Sequence, residues 1–156
     1  MEQQIKQNEL NQIAEVALIY KTKVKPSERP KINSSKDASD LFRKNWDENK
    51  IEFVEQFKAL LVNRSNRVLG IIEISSGGVT STVVDPKMVF MAALKANACG
   101  LIICHNHPSG NLNPSRADEE ITRKIKNAGD FLDLHLLDHI ILSSEGFYSF
   151  ADEGLI

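Results

Sequence analysis

Two histidines, a serine and an aspartate lie close together in the stretch HNHPSGNLNPSRAD, which runs from His105 to Asp118. Alternate residues of an extended chain share a face, so the imidazoles of His105 and His107 should point to the same side. A carboxylate from Asp118 can approach the same point if the loop between them doubles back. Two imidazole nitrogens and one carboxylate oxygen suit a borderline metal such as zinc. The stretch therefore predicts a metal site formed by His105, His107 and Asp118.

The same stretch also has a purely structural interpretation. Ser115 and Asp118 have the spacing of a capping box, in which a serine and an acidic residue satisfy the first amides of a helix. Pro108, Gly110 and Pro114 are ordinary turn residues. Packing, however, gives no reason for a buried apolar strand to end in two imidazoles on one face. We therefore favour the metal site, with the helix cap as part of it.

Three protein ligands leave one tetrahedral position open for water, which is the arrangement of catalytic rather than structural zinc sites. Zinc can lower the pKa of bound water from about 15.7 to about 7. Hydrolysis at such a site also needs a general base that takes the proton of the water and passes it to the leaving group. The residue types therefore predict metal-assisted hydrolysis.

Hydrophobic periodicity predicts the elements that must hold these residues. The segment CGLIICH, residues 99–105, is a continuous apolar strand of the kind that lies in the middle of a sheet. Asp85 and Pro86 have the types of a helix cap and a first helical residue. The helix that follows should bury Val89, Phe90, Ala93 and Leu94, and the helix after the histidines should bury Ile121, Ile125, Ala128 and Leu132.

The remaining segments complete an α/β pattern. Residues 51–57 are predicted as a short helical entry, 58–63 and 67–77 as a hairpin around a turn, and 134–150 as a strand, a turn and a final strand. We expect an α/β fold with a mixed β-sheet. Residues 1–47 are predicted to form an N-terminal arm made of a strand over 13–25, a polar linker and a short helix near 37–45, with the domain itself over 48–156.

Composition limits the functional classes. The net charge of −2 is not typical of a protein that binds the phosphates of duplex DNA. The basic stretch 20–31 could nevertheless contact a nucleic acid or an acidic partner. No apolar run is long enough to span a bilayer, and the polar N-terminus predicts a cytoplasmic location. Cys99 and Cys104 are expected to be small buried hydrophobes.

The spacing H-x-H, seven residues, S, two residues, D resembles the JAMM motif of the MPN (JAB1/MPN/Mov34) metalloenzymes, and specifically their RadC-like branch. The flanking segments NRVLG, VVDPKMVFMAAL, LLDHIIL and YSFADEG are similar to that branch as well. The resemblance implies a three-layer MPN fold with a mixed central sheet flanked by helices. It also implies that His105, His107 and Asp118 bind Zn²⁺ with water as the fourth ligand, and that Ser115 supports the tetrahedral intermediate.

The resemblance further implies an upstream glutamate as acid and base, located where a helix passes into the first core strand. Glu55 matches this position, while Glu52 and Glu73 are the alternatives. His135 and His139 are left outside the ligand set. Asp138 or His139 could support the site from behind or simply face solvent.

The function that follows is a zinc-dependent hydrolase that cleaves a peptide or isopeptide amide in a protein or peptide substrate. A non-enzymatic interaction module in DNA repair or mobile-element processing is the alternative. A metal-dependent nuclease is a third reading, because HNH also names a nuclease motif, but the contiguous spacing disfavours it. Residues 1–49 lack the helix-hairpin-helix pattern that RadC-like proteins often carry. The arm could instead pair with a sheet edge of its own or of a second subunit, giving a homo-oligomer.

Overall fold

The computed structural model of the chain describes residues 14, 16–78 and 82–156. A short 3-10 helix, Pro26–Glu28, precedes the main elements. The helices are α1 (Ser35–Lys44), α2 (Pro86–Lys95) and α3 (Arg116–Phe131). The strands are β1 (Glu55–Val62), β2 (Val68–Gly77), β3 (Gly100–Asn106), β4 (His135–Leu142) and β5 (Phe147–Ser149). Among the residues described, no helix combines the length and the apolar character that crossing a bilayer requires.

The five strands form one mixed sheet in the order β2, β1, β3, β4, β5. β1 pairs antiparallel with both β2 and β3, β3 pairs parallel with β4, and β4 pairs antiparallel with β5. β3 is the central strand, and every residue of it is buried. Its unbroken apolar run is therefore explained by cover on both faces of the sheet.

Helices cover the two faces of the sheet and make three layers. On one face, α2 and α3 pack over a cluster that includes Phe57, Val89 and Ile125. On the other face, α1 packs over a second cluster that includes Phe42 and Leu60. The predicted α/β fold, with a mixed central sheet flanked by helices, is confirmed.

The predicted helix caps are also confirmed. The side chain of Asp85 accepts a hydrogen bond from the backbone N–H of Lys87, and Pro86 occupies the first turn of α2. At α3, the side chain of Ser115 accepts from the backbone N–H of Asp118, and the Asp118 carboxylate accepts from the backbone N–H of Ser115. Both starts depend on contacts within four residues, which is why sequence alone identifies them.

The helical entry predicted over residues 51–57 is wrong. Residues 51–54 form turns, and β1 already begins at Glu55, which pairs with Gly77 of β2. The side-chain amide of Asn106 donates to the carbonyls of Ile51 and Val54, groups that a continuing helix would have used internally. Pairing with β2 and this amide therefore favour extended chain over helix.

The strand predicted over residues 13–25 is wrong for the part that the structure describes, since residues 16–25 form no strand; Ile13 and Glu15 lie outside the described residues. Residues 16–25 are exposed throughout, so the segment has no buried face to stabilise a strand. It nevertheless touches the sheet edge, because the hydroxyl of Tyr20 donates to the backbone carbonyl of Leu69 in β2. An isolated bridge then joins Lys31 to Arg67.

The helix predicted near 37–45 is present as α1, and it contributes to the core. Its Phe42 is fully buried, and Trp46 just beyond it is also buried. The sequence places this helix in an arm before residue 48, whereas its apolar side chains pack on the sheet.

Three burial predictions are wrong. Leu94 is 58% exposed, because α2 buries Val89, Phe90 and Ala93 and Leu94 lies beyond that face. Leu132 is 41% exposed, since it follows the last residue of α3. Cys99 precedes β3 and is exposed, while Cys104 within the strand is buried as expected.

Candidate metal centre

The structure brings together the three residues that were predicted as metal ligands. His105 Nε2 lies 2.9 Å from His107 Nε2 and 3.1 Å from Asp118 Oδ1. His107 Nε2 lies 3.5 Å from Asp118 Oδ2. In the part of the chain that the structure describes, this is the cluster of His, Cys, Asp and Glu side chains that could hold an ion.

Two elements of secondary structure create this convergence. β3 carries His105 at its end, and His107 continues the extended chain by donating its backbone N–H to the carbonyl of Leu142 at 2.9 Å. The two imidazoles therefore fall on one side. The chain then turns through Gly110, whose φ of 82° favours glycine, and α3 begins with its capping box. The cap places Asp118 in the first turn of α3, facing the histidines.

Hydrogen bonds at the far atoms orient two of the three ligands. His107 Nδ1 lies 2.5 Å from the backbone carbonyl of Asn111, which can only accept, so Nδ1 carries the proton of the neutral ring. The Nε2 lone pair of His107 is then free. Asp118 Oδ2 accepts from the backbone N–H and the hydroxyl of Ser115, both at 2.7 Å. Such bonds behind the ligand atoms are what fixed metal ligands usually show.

The site favours positive charge at the point where the three side chains meet. Burial opposes ionisation of Asp118, but the hydrogen bonds that His105 and His107 donate to it when they are protonated outweigh burial and hold the pKa of the carboxyl well below its ordinary value. The hydrogen bond with Asp118 raises the pKa of His107, although burial opposes the rise. A proton in the metal-free protein and a cation in the loaded protein are stabilised by the same groups.

The donor set fits a zinc ion. For bonds of about 2.0 to 2.1 Å in a tetrahedral site, ligand atoms lie about 3.3 Å from one another. The distances of 2.9 Å between the two Nε2 atoms and 3.1 Å between His105 Nε2 and Asp118 Oδ1 are close to that value. His107 Nε2 lies 3.5 Å from the other carboxylate oxygen, Oδ2. Imidazole nitrogen and carboxylate oxygen are also ordinary zinc ligands.

Glu55 faces the same cavity as the ligands. The cavity has a volume of about 480 Å³, and Glu55 lines it together with all three of them. Glu55 is half-buried, and burial raises the pKa of its carboxyl above the ordinary value, although the charges of His105 and His107 oppose the rise. A carboxyl that is easier to protonate and lies beside the ligands suits a residue that takes up and returns a proton.

The two alternative glutamates do not reach the cavity. Glu52 is exposed in the turn before β1 and is absent from the cavity wall. Glu73 accepts from the side chain of Gln56 at 2.8 Å and lies 3.9 Å from the ammonium of Lys58. Because successive residues of a strand face opposite sides, the neighbouring side chains of Glu55 and Gln56 point away from each other. Of the three, the structure places Glu55 at the site.

Ser115 lines the cavity, but its hydroxyl is already engaged. It donates to Asp118 Oδ2 at 2.7 Å and accepts from the backbone N–H of Asp118 at 3.2 Å. In this structure Ser115 therefore orients the carboxylate of Asp118, a candidate metal ligand. Its role in supporting a reaction intermediate stays a prediction.

Asn106, between the two histidines, has a role that the sequence interpretation missed. Its side chain is fully buried, accepts from the backbone N–H of Gln56 at 2.7 Å, and donates to the carbonyls of Ile51 and Val54 at 2.8 and 2.9 Å. These bonds fasten the segment on either side of Glu55 to the strand that carries the histidines. A polar residue inside an otherwise apolar strand was the signal that could have revealed it.

His139 lies directly behind the site and does not face solvent. It is fully buried, and its Nε2 lies 2.8 Å from His105 Nδ1. Burial lowers the pKa of His139 well below its ordinary value, so the ring is neutral at neutral pH. Asp138 instead accepts from the hydroxyl of Ser149 in β5, and His135 is an exposed residue at the other end of β4.

A mixed sheet between helices, with two histidines and an aspartate converging at the end of its central strand and a glutamate on the neighbouring strand, defines a JAB-type domain. The family model described as RadC-like JAB domain matches residues 32–155, and the chain belongs to this family. The match begins well before residue 48 and includes α1.

Curated relatives agree with this assignment. A UPF0758 protein of Flavobacterium johnsoniae is 48% identical over 125 residues, which are 80% of this chain and 53% of the relative. A UPF0758 protein of Clostridium beijerinckii is 37% identical over 155 residues, 97% of this chain and 66% of the relative. One of Geotalea uraniireducens is 42% identical over 102 residues, 65% of this chain and 45% of the relative. The chain thus spans about half the length of most of these relatives.

Proposed function

We propose that the chain is a zinc-dependent hydrolase of the JAMM type, which cleaves a peptide or isopeptide amide in a protein or peptide substrate. The observation that carries this proposal is the convergence of His105, His107 and Asp118 at one wall of a cavity that Glu55 also lines. A structural zinc site would be closed by four protein ligands, and here three ligands meet beside open space. The family supports the domain type, and the activity is our inference from the site.

Three residues would bind the ion, and two others orient them. His105, His107 and Asp118 would hold the ion, which when bound would supply the Lewis acidity that makes water a nucleophile at neutral pH. Ser115 and the carbonyl of Asn111 keep Asp118 and His107 turned toward the ion. The cavity is also lined by apolar residues, which could contact a side chain of the substrate; they are Phe57, Val84, Ala117 and Ile121.

Among the titratable residues that line the cavity, Glu55 is the one that we do not assign to the ion, so it can transfer a proton. Its carboxylate would accept a proton from the attacking water and donate it to the leaving nitrogen, which must be protonated to depart as an amine. The raised pKa of the Glu55 carboxyl brings its two protonation states closer in free energy, as this double role requires. Asn106 holds the chain on both sides of Glu55 in place for it.

Cleavage assays on zinc-loaded protein test the proposed activity. Wild type, Glu55→Ala and the matched control Glu52→Ala would be incubated with peptide and isopeptide libraries, and products would be identified by mass spectrometry. We expect cleavage by wild type and Glu52→Ala, because Glu52 lies outside the cavity. Glu55→Ala should lose about 10²-fold or more of the rate, the usual contribution of a general base. Equal product formation by wild type and Glu55→Ala would contradict the proposal.

Zinc binding can be tested separately through stability. A ligand that binds the native state at a hundred times its Kd stabilises it by about 2.7 kcal/mol. Zinc should therefore raise the Tm of wild type and of the exposed-histidine control His135→Ala, but not that of His107→Ala or Asp118→Ala. If zinc raised the Tm of all four proteins equally, the ion would be bound at another site.

The alternative function, a non-enzymatic module in DNA repair or mobile-element processing, stays a prediction, as do the cytoplasmic location and a homo-oligomer through the arm. The basic stretch 20–31 is the segment that DNA would contact. DNA binding that weakens steeply with salt, together with no cleavage in the assay above, would favour this alternative.

A further inference from the structure

A buried line of polar groups runs behind the metal centre and connects two of its ligands. Its first member is His105, whose Nδ1 lies 2.8 Å from His139 Nε2. His139 Nδ1 lies 2.6 Å from the hydroxyl of Thr122. The same hydroxyl lies 2.6 Å from the backbone carbonyl of Asp118. His105, His139 and Thr122 are each at most 3% exposed, so water does not substitute for these contacts.

The direction of each hydrogen bond follows from one end of the line. The carbonyl of Asp118 can only accept, so the single hydroxyl proton of Thr122 is donated to it. The oxygen of Thr122 then has only acceptor capacity left for His139. His139 must therefore carry its proton on Nδ1 and donate it to Thr122.

The surroundings of His139 determine whether its other ring nitrogen, Nε2, carries a proton. Its ring stacks on Phe150, with ring centroids 4.6 Å apart, and Phe57 lies 5.9 Å away. Among the described residues, no carboxylate bonds to the ring, and a charged imidazole buried between aromatic rings would be strongly disfavoured. His139 Nε2 is thus unprotonated, and its lone pair accepts a hydrogen bond from the Nδ1–H of His105.

We propose that Thr122 and His139 are positioning residues, which fix His105 in the tautomer whose Nε2 lone pair faces the metal-binding point. Without this line, a neutral His105 could carry its proton on Nε2 and would then point a donor at Asp118 and His107. The contact of Thr122 with His139 also joins the first turns of α3 to β4, and the contact of His139 with His105 joins β4 to β3, so the line fixes Asp118 and His105 relative to each other. The effect on metal affinity rests on the proposed function, whereas the tautomer does not.

The tautomer can be read in metal-free protein. Long-range proton–nitrogen NMR spectra of ¹⁵N-labelled wild type, recorded with EDTA at pH 8, distinguish a protonated ring nitrogen from a bare one. We expect His105 and His139 each to be protonated on Nδ1 and bare on Nε2. A bare Nδ1 on His105, with the proton on Nε2 instead, would overturn the proposal, whether or not the protein binds zinc.

A pair of substitutions at Thr122 tests how the line acts. Thr122→Val keeps the shape and removes the hydroxyl, whereas Thr122→Ser keeps the hydroxyl. In Thr122→Val, a buried Nδ1–H of His139 has lost its acceptor, so the proton should move to Nε2 and be donated to His105 Nδ1. His105 is then driven to the wrong tautomer, and zinc affinity should fall about 10- to 100-fold, as is usual for residues behind metal ligands.

Zinc affinity would be measured by competition with a chelating dye, and the NMR tautomers would be recorded for the same samples. Thr122→Ser should restore both the affinity and the His105 tautomer. Wild-type affinity and an unchanged tautomer in folded Thr122→Val would overturn the proposal. If Thr122→Val does not fold, the spectrum of wild type still shows which tautomer His105 adopts and so tests the proposal. If wild type shows the expected tautomers but binds no zinc, the proposed function fails while the tautomer assignment stands.

Discussion

Replacing Asn106 by alanine should destabilise the protein strongly, although Asn106 is not a metal ligand. The substitution removes an amide with no exposed surface that makes three hydrogen bonds of 2.7 to 2.9 Å. It leaves the N–H of Gln56 and the carbonyls of Ile51 and Val54 without their partners.

The magnitude follows from those three groups. A buried donor or acceptor that loses its partner costs about 1 to 3 kcal/mol. At the lower end of this range the three groups together cost about 3 kcal/mol. Native domains are typically stable by about 5 to 15 kcal/mol, so we expect Asn106→Ala to fold with a much lower free energy of unfolding.

Urea denaturation at 25 °C in EDTA measures this change without any contribution from bound metal. Asn127→Ala is the matched control, because Asn127 is exposed on α3, and its free energy of unfolding should change by no more than about 0.5 kcal/mol. A loss below about 1 kcal/mol in Asn106→Ala, at an unchanged m-value, would refute the reasoning. Since the histidines remain, zinc affinity should change less than the rate of cleavage, which depends on where Glu55 lies.

Two further predictions concern pH and packing. Folding raises the pKa of Glu55, so an ionised Glu55 lowers the free energy of unfolding. This loss of stability is complete above the pKa of the folded protein and disappears below the pKa of the unfolded chain, which is about 4.3. Glu55→Gln should therefore be more stable than wild type at pH 7 in EDTA, with the difference vanishing toward pH 4, and a wild type at least as stable at pH 7 would contradict this. Gly129→Ala should cost about 2 kcal/mol or more in urea denaturation, because a Cβ there would lie 2.2 Å from the carbonyl oxygen of Leu134, a backbone atom that cannot move aside easily. Gly70→Ala, where a Cβ meets nothing within 4 Å, is its control, and an equal loss in both variants would argue against the clash.

Local patterns predicted much of the fold. The caps of α2 and α3 need only residues within four positions of each other, so Asp85, Pro86, Ser115 and Asp118 were sufficient to identify both helix starts. The apolar run of β3 likewise predicted a central strand. Alternation along that strand also determined that His105 and His107 share a side.

Segments with weak or conflicting local signals were misjudged. The pattern of residues 51–57 fits a helix, but pairing of Glu55 with Gly77 and the bonds from Asn106 make the chain turn and then extend. Alternation over residues 13–25 predicted a strand, yet a strand is stable only with a partner or a buried face, and the described residues 16–25 lack both. Neither outcome is encoded in the segment itself.

The sequence by itself determined the identity and local spacing of the candidate ligands, because His105, His107, Ser115 and Asp118 are brought together by one strand end, one turn and one helix cap. Only the tertiary structure decided which glutamate faces them and what stands behind them. Phe57 pairs with His105, and Ile103 with His139, across strand registers that join distant parts of the chain. Those registers are set by burial on both faces of the sheet, which no short stretch of sequence contains. They place Glu55 at the cavity and His139 against His105.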